Sequence, residues 1–337
     1  MNIAINGFGR IGRAAFKIFL ERAESLHDLH VVAINDLTTP EVLAYLLKYD
    51  SVYGRYEKPV SFTDSDLVIG DKNFPVLAVK DPLELPWKDL NVDIVLECTG
   101  FFTKAEDAKK HLQAGAKKVI LSAPAKDDEF TTIVLGTEDI DYSKELYSNA
   151  SCTTNCAGPV MHVLSKTFGI EKAMLSTVHA YTSTQGLIDG PDKGKDMRRG
   201  RAAAANIVPS STGAAESVAK VIPELENIFD GIALRVPVIC GSISDITALL
   251  KRNTTVEEIN KAFSEAQNWP EMEGILKYSE EPLVSSDIIK TTYSAILDSN
   301  MTRVVGGNLV KVLAWYDNEW AYSNRLVDVA VKASGHI

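Results

Sequence analysis

Cys152 stands in the run Ser148–Asn149–Ala150–Ser151–Cys152–Thr153–Thr154–Asn155–Cys156. A β-like stretch precedes it, and apolar residues at helical spacing follow: Val160, Val163, Leu164 and Phe168. That placement puts a thiol at a helix N-terminus. Uncapped backbone N–H groups and the positive end of the helix dipole favour a thiolate there, the form in which cysteine is a nucleophile. The small, hydroxylated neighbours Ser151, Thr153 and Thr154 suit an anionic oxygen. A buried structural cysteine beside an ordinary Ser/Thr cap has the same local sequence, so its partners must decide.

A nucleophilic thiol needs a base. Met174–Val178 alternates as a strand does, and His179 ends it and enters the loop Ala180–Tyr181–Thr182, a suitable place for a general base. His27, His30 and His111 fall early in the chain, His162 lies along the helix that follows Cys152, and His336 is at the terminus. A satisfied structural imidazole is the other reading of His179. The segment 181–206 is long and irregular, with Gly186, Gly190–Pro191, Gly194 and the basic residues Arg198, Arg199 and Arg201. Such loops are usually functional, here as an anion site, a subunit contact or a solvated basic stretch. Ser210–Ser211–Thr212–Gly213 opens a further helical pattern and reads as a phosphate site or as a plain N-cap. Arg235 sits in the apolar run Ile232–Val238, where its charge requires an acid or an anionic ligand.

The first residues carry a second chemistry. The run Asn2–Ala4–Ile5 ends in Gly7–Phe8–Gly9–Arg10–Ile11–Gly12, and helical spacing follows at Ala14, Ala15, Ile18 and Phe19. This is G-x-G-x-x-G between a strand and a helix. Gly7 makes the turn, Gly9 lets backbone approach a pyrophosphate, and Gly12 lets helix and strand pack closely. Val31–Asn35 reads as a buried parallel strand, and Asp36 ends it about 20 residues past the turn, the spacing of a ribose-binding acid. With no Arg or Lys in Leu37–Thr38–Thr39, the pair favours NAD over NADP.

Positioning these groups takes two domains, for which 337 residues are ample. Alternating strand and helix signals continue to Cys152, with strands at Val92–Glu97 and Val119–Leu121 and a helix over 105–114. Thr99–Gly100 and Ser122, at strand ends, would face a cofactor crevice. Residues 52–79 read as inserted hairpins. Beyond residue 230 strands dominate, around a helix over 256–266. The net charge of −10 and the lack of a basic run argue against nucleic acid or an anionic membrane as the main partner. No apolar run approaches the ~18 residues of a membrane span, and the N-terminal residues do not read as a signal peptide. Cys98, Cys152, Cys156 and Cys240 form no disulfide framework and no zinc spacing, so no metal is expected and reduced thiols in the cytoplasm fit. Cys98 reads as core.

With these residues assembled, the chain resembles the phosphorylating glyceraldehyde-3-phosphate dehydrogenases from end to end. N-G-F-G-R-I-G-R at 6–13, S-N-A-S-C-T-T-N-C at 148–156, the stretch 198–213, R-V-P at 235–237 and W-Y-D-N-E-W at 315–320 carry the likeness. The resemblance implies an α/β fold: a Rossmann NAD-binding domain over 1–150, and an α+β catalytic domain over 151–317 with a mixed, largely antiparallel sheet. A final helix, 318–337, would pack back onto the first domain. It implies a cytoplasmic homotetramer whose loop 181–206 lines subunit contacts. It implies Cys152 as nucleophile and His179 as its base, with Arg10, Ile11, Asp36, Lys80, Thr99, Ser122 and Asn318 joining the glycines on NAD. Thr182 and Arg235 would hold the phosphate of glyceraldehyde 3-phosphate. Ser151, Thr153, Arg199, Thr212 and Gly213 would hold inorganic phosphate. The chain departs from the usual pattern at Val238, after R-V-P, at Ala321, and at Lys80 where Arg is common. An erythrose-4-phosphate dehydrogenase and a non-catalytic NAD-binding redox sensor are the competing readings.

Overall fold

The computed structural model describes residues 1–26, 28–137, 140–191 and 196–337; His27 and Gly194 lie outside the described residues. The chain forms two compact units. The first runs from Met1 to Ile133, resumes in the residues leading to Ala150, and includes Ser323–Ile337; the second holds Ser151–Tyr322 with a short piece that begins at Val134.

In the first unit β1 (Asn2–Asn6), α1 (Arg10–Glu21), β2 (His30–Asn35) and α2 (Pro40–Lys48) come in alternation. Short strands follow: β3 (Tyr49–Asp50), β4 (Gly54–Arg55), β5 (Val60–Phe62), β6 (Asp66–Ile69) and β7 (Lys72–Leu77). Then come β8 (Ile94–Glu97), α3 (Ala105–Gln113), β9 (Lys118–Leu121), β10 (Thr131–Thr132) and β11 (Leu146–Ser148). The sheet order is β10-β11-β9-β8-β1-β2-β7-β6-β5. It is parallel from β10 to β7, and the expected hairpins extend it as antiparallel β6 and β5. Ile3, Ala4, Ile5, Ile94, Val95 and Leu96 are fully buried, as strands covered on both faces must be.

The parallel register brings Asn6, Asn35 and Glu97 to the same end of the sheet. A buried polar set joins them. Asn35 Nδ2 donates to Asn6 Oδ1 at 2.7 Å, and Asn6 Nδ2 to Glu97 Oε2 at 2.5 Å. Trp87 Nε1 donates to His111 Nδ1 at 2.9 Å, which leaves Nε2, 3.1 Å from Glu97 Oε2, to carry the ring proton. The strand tips and the loops that leave them are therefore tied together.

The second unit opens with α4 (Cys152–Phe168), capped by Ser151 and ended by Gly169 at φ +67. Next come β12 (Ile170–Ala180), β13 (Val208–Ser211), α5 (Ala214–Val221), β14 (Phe229–Val236), β15 (Ser242–Leu250) and α6 (Val256–Ala266). β16 (Leu276–Ser279), β17 (Ala295–Asp298), β18 (Arg303–Val305), β19 (Leu309–Tyr316) and α7 (Trp320–Ser334) complete the chain. The sheet order is β13-β14-β12-β15-β19-β17-β16, with β18 on β19. Only β12–β14 and β16–β17 are parallel, so the sheet is mixed and largely antiparallel, as expected. Cys156, Val160, Met161, Leu164, Leu175, Ile246, Phe263 and Tyr316 share its core. Residues of β15 alternate between buried and half-buried, so one face carries that core and the other is only partly covered. The part of α7 from Ser323 onward belongs to the first unit, where Asp328 pairs with Arg22 at 2.6 Å.

Candidate active site

The glycine turn of the first unit has the geometry its spacing predicts. Gly7 holds φ +91, and a Cβ there would lie 2.7 Å from the backbone nitrogen of Thr99. A Cβ on Gly12 would sit 2.2 Å from the carbonyl oxygen of Gly7, so that helix–strand approach excludes any side chain. Gly9 differs: nothing lies within 4 Å of its missing Cβ. It is the N-cap of α1, whose first turn has no side-chain cap and no acid. A bare helix start beneath open space fits an anionic dinucleotide. Asp36 turns toward it, its Oδ2 accepting from Phe8 N at 2.8 Å and its Oδ1 from Thr38 N at 3.1 Å. Arg10 pairs with Asp50 at 2.8 Å, and Ile11 is half-buried. Thr99 is held by Glu97, and Ser122 donates its N–H to Glu97 O at 2.9 Å. Lys80 is exposed just past Val79, whose N–H and C=O are both held by Asn35.

In the second unit Cys152 is the first residue of α4. Its Sγ lies 3.3 Å from Nε2 of His179, which is 2 % exposed near the end of β12. Two residues ahead of the thiol, Ala150 holds φ +50, a left-handed conformation that is costly for a residue with a side chain. The parallel register of β12 and β14 sets Arg235 opposite His179. Arg235 Nη1 lies 2.7 Å from His179 Nδ1 and 3.1 Å from Ala180 O, while Nδ1 is 2.6 Å from the same carbonyl. These contacts define two tautomers. With Nδ1–H donated to Ala180 O, Nε2 faces Sγ with a lone pair. With Nδ1 accepting from Arg235, Nε2–H faces Sγ instead. The first form is the one that can take the thiol proton.

Two opposing effects meet at the thiol. Burial raises the Cys152 thiol above its ordinary value and outweighs Arg235 and the N–H groups of Thr153 and Cys152, which lower it. Burial, then Arg235, pushes His179 down to about 3. The helix start does favour the thiolate, and desolvation opposes it as the larger effect. Arg235 is itself lowered, first by burial and in part by Arg199. Arg199 is held through Nε to Ser210 Oγ at 2.8 Å and through Nη2 to Ser211 O at 3.3 Å. Among the described residues neither arginine has a carboxylate at ion-pair distance, so the cation requirement read from the apolar context of Arg235 is left for an anionic ligand.

The remaining hydroxyls are partly committed. Ser151 Oγ caps α4 by accepting from Thr154 N at 3.1 Å. Thr153 Oγ1 is 2.9 Å from Tyr316 OH, which also meets Thr177 Oγ1 at 2.8 Å. Thr182 pairs with Thr184 at 2.9 Å, and Thr212 Oγ1 accepts from Ala214 N at 3.2 Å. Gly213 is exposed at the start of α5, with nothing within 4 Å of its missing Cβ. Asn318 is buried, its Oδ1 accepting from Gly241 N at 3.2 Å and from Ser242 Oγ at 2.9 Å. Sequence reasoning passed over Tyr316 and Ser242. Their one signal was position: Tyr316 lies inside W-Y-D-N-E-W, and the β15–β19 register sets Ser242 opposite it. Among the described residues no group of three or more His, Cys, Asp or Glu could hold a metal, and no helix is long and apolar enough to cross a membrane.

Residues 1–105 match the family described as glyceraldehyde 3-phosphate dehydrogenase, NAD binding domain, and residues 151–318 match its C-terminal domain. The chain is 52% identical over 335 residues to the glyceraldehyde-3-phosphate dehydrogenase of Mycolicibacterium smegmatis, covering 98% of this chain and 97% of that one. It is 48% identical over 334 residues to that of Streptomyces coelicolor, covering 98% of each, and 51% identical over 334 residues to that of Mycobacterium avium, covering 98% and 97%.

Proposed function

The chain belongs to the glyceraldehyde-3-phosphate dehydrogenase family and is an NAD-dependent oxidoreductase of glycolysis; from that premise we propose that Cys152 and His179 carry out the phosphorylating oxidation of glyceraldehyde 3-phosphate. The observation that carries the assignment is the 3.3 Å approach of Sγ to Nε2 beside the acid-free Arg235.

His179 Nε2 takes the thiol proton as Sγ adds to the aldehyde carbon. At 3.3 Å the imidazole is within direct reach of the thiol. The backbone N–H of Cys152 and the imidazole then face the new oxyanion; donors of this kind contribute about 3 kcal/mol each where water is excluded. Bound NAD supplies the hydride acceptor. His179 returns its proton to the oxyanion, which makes the hydroxyl of the adduct, and takes it back as hydride leaves the same carbon, so that Sγ is left carrying a thioester. Inorganic phosphate displaces it, which frees Sγ and yields 1,3-bisphosphoglycerate. A thioester retains the oxidation energy that a free acid would lose.

Arg235 and Thr182 hold the substrate phosphate in this reading. Arg199, Thr212, Gly213, Ser151 and Thr153 surround the attacking phosphate. Since the Ser151 hydroxyl caps α4 and the Thr153 hydroxyl meets Tyr316, their backbone N–H groups are the better donors to it. Gly7, Gly9, Arg10, Ile11, Gly12, Asp36, Lys80, Thr99, Ser122 and Asn318 receive NAD. The open space at Gly9 and the uncapped α1 support the pyrophosphate position. Residues 1–150 with 318–337 form the NAD-binding domain and 151–317 the catalytic domain, a division that the compactness of the two units supports.

The protein works as a cytoplasmic homotetramer. Its four free cysteines favour a reducing compartment. Met174, Ile232, Val305 and Leu309 are exposed on strands of the second unit, and Leu187, Ile188 and Met197 in the 181–206 segment, apolar side chains that further copies of the chain would cover. Light scattering that finds a monomer at micromolar concentration would end the tetramer reading. Phosphate-dependent NADH formation from glyceraldehyde 3-phosphate should fall at least about a thousandfold in Cys152→Ser; unchanged turnover removes the nucleophile assignment.

A further inference from the structure

Asn318 is held so that only one end of its amide is available. Gly241 N lies 3.2 Å from Oδ1, and a backbone N–H can only donate. The atom facing it must be the acceptor, which fixes the amide as drawn. Gly241 holds φ +90, and a Cβ there would lie 2.2 Å from Ser285 O, so this approach excludes any side chain. Ser242 adds a second donor. Its Oγ accepts from Ala180 N at 3.1 Å and so directs its own hydrogen to Oδ1 at 2.9 Å. The chain beside Asn318 is fixed as well. Asp317 Oδ1 accepts from the N–H groups of Glu319 at 2.8 Å and Trp320 at 2.7 Å, and its Oδ2 from Lys290 N at 2.8 Å. Among the described residues Asn318 Nδ2 has no partner, and it is not sealed from solvent.

We propose that Ser242 is a positioning residue which, with Gly241 N–H, locks the Asn318 amide with its NH2 outward, so that Asn318 donates to the carboxamide oxygen of the nicotinamide and does not accept from its nitrogen. The proposal rests on the reading that Asn318 meets the nicotinamide. The Ser242 hydroxyl also holds the peptide that follows His179, so the residue that reads the coenzyme and the residue that moves the proton share one anchor.

Calorimetric dissociation constants test it without turnover. The ligands are NAD, ADP-ribose, which lacks the nicotinamide, and 3-acetylpyridine adenine dinucleotide, which keeps the carbonyl and replaces the amide nitrogen by methyl. In the unaltered protein the acetylpyridine analogue should bind within about threefold of NAD, since the lost nitrogen makes no bond to Asn318. Binding weaker by about tenfold or more means that Asn318 reads the nitrogen, and overturns the proposal. Ser242→Ala should weaken NAD and the analogue alike, by about five- to tenfold, and leave ADP-ribose unchanged, while Ser242→Thr keeps NAD affinity. An equal loss for ADP-ribose marks a general loosening and overturns the proposal, as does an unchanged NAD constant. Asn318→Ala separates the two layers. If it leaves NAD binding intact, the Asn318 reading fails and the proposal with it. If it weakens NAD while Ser242→Ala does not, the Ser242 assignment alone fails.

Discussion

Arg235 Nη1 stands 2.7 Å from Nδ1 of His179, a permanent cation against the far nitrogen of the imidazole. The guanidinium acts on its two neighbours in opposite chemical senses. It disfavours the imidazolium, second only to burial, and it favours the Cys152 thiolate against the larger effect of burial. Removing it should therefore raise the pKa of both groups. In Arg235→Leu the pH midpoint for alkylation of Cys152 by iodoacetamide should move to higher pH. A midpoint that stays put or moves down contradicts this placement of the charge.

His179 also links acidity to stability. Its folded value, about 3, lies below the ordinary 6.5, so the unfolded chain binds this proton first. The contribution of neutral His179 is complete above 6.5 and is lost as pH falls from there toward 3, by at most about 1.4 kcal/mol per pH unit. Urea midpoints taken at pH 7 and pH 5, at one protein concentration, should drop more for the unaltered chain than for His179→Asn. Equal drops would assign the acid sensitivity to other groups.

Two glycines of one motif should fail in different ways. Gly9→Ala places its methyl in open space, so the apo protein should keep its denaturation midpoint while NAD affinity falls about tenfold or more. Gly12→Ala drives its methyl into the Gly7 carbonyl, so stability should fall even without coenzyme, by about 1–3 kcal/mol. Thermal melts with and without NAD separate the cases. A destabilised Gly9→Ala would mean that the space over that residue is not a ligand's.

Asp36 holds Phe8 N–H with one oxygen and keeps acceptor capacity for a ribose hydroxyl. Asp36→Ala removes both that acceptor and the charge that repels a 2′-phosphate. The ratio of kcat/KM for NAD to that for NADP should fall about tenfold or more. A ratio that does not move would place coenzyme choice elsewhere.

Much of this was legible because it is local. The glycine turn, the Ser151 cap with Cys152 at N1, and α6 at Val256–Ala266 are set by residues a few positions apart. What stayed hidden depends on register. The His179–Arg235 contact exists because β12 and β14 run parallel with those residues opposite, a pairing that 56 residues of chain separate. Tyr316 lies in a motif that carries the family likeness, but its place between Thr153 and Thr177 comes from strand pairing and helix packing. The electrostatics of Cys152 divide in the same way: the helix terminus that favours its thiolate shows in the sequence, but the burial that opposes it arises only from the packed fold.

One residue, Ala180, has a larger consequence. Its carbonyl receives the guanidinium of Arg235 and lies against the His179 ring, while its nitrogen reaches Asn318 through the hydroxyl of Ser242. These two groups belong to successive planar peptides that meet at the Ala180 Cα, so φ and ψ of this one residue set the angle between them. The guanidinium beside the base and the hydroxyl behind the Asn318 amide thus grip opposite sides of a single alpha carbon. Substitutions at Arg235, Ser242 and Asn318 should combine with departures from additivity.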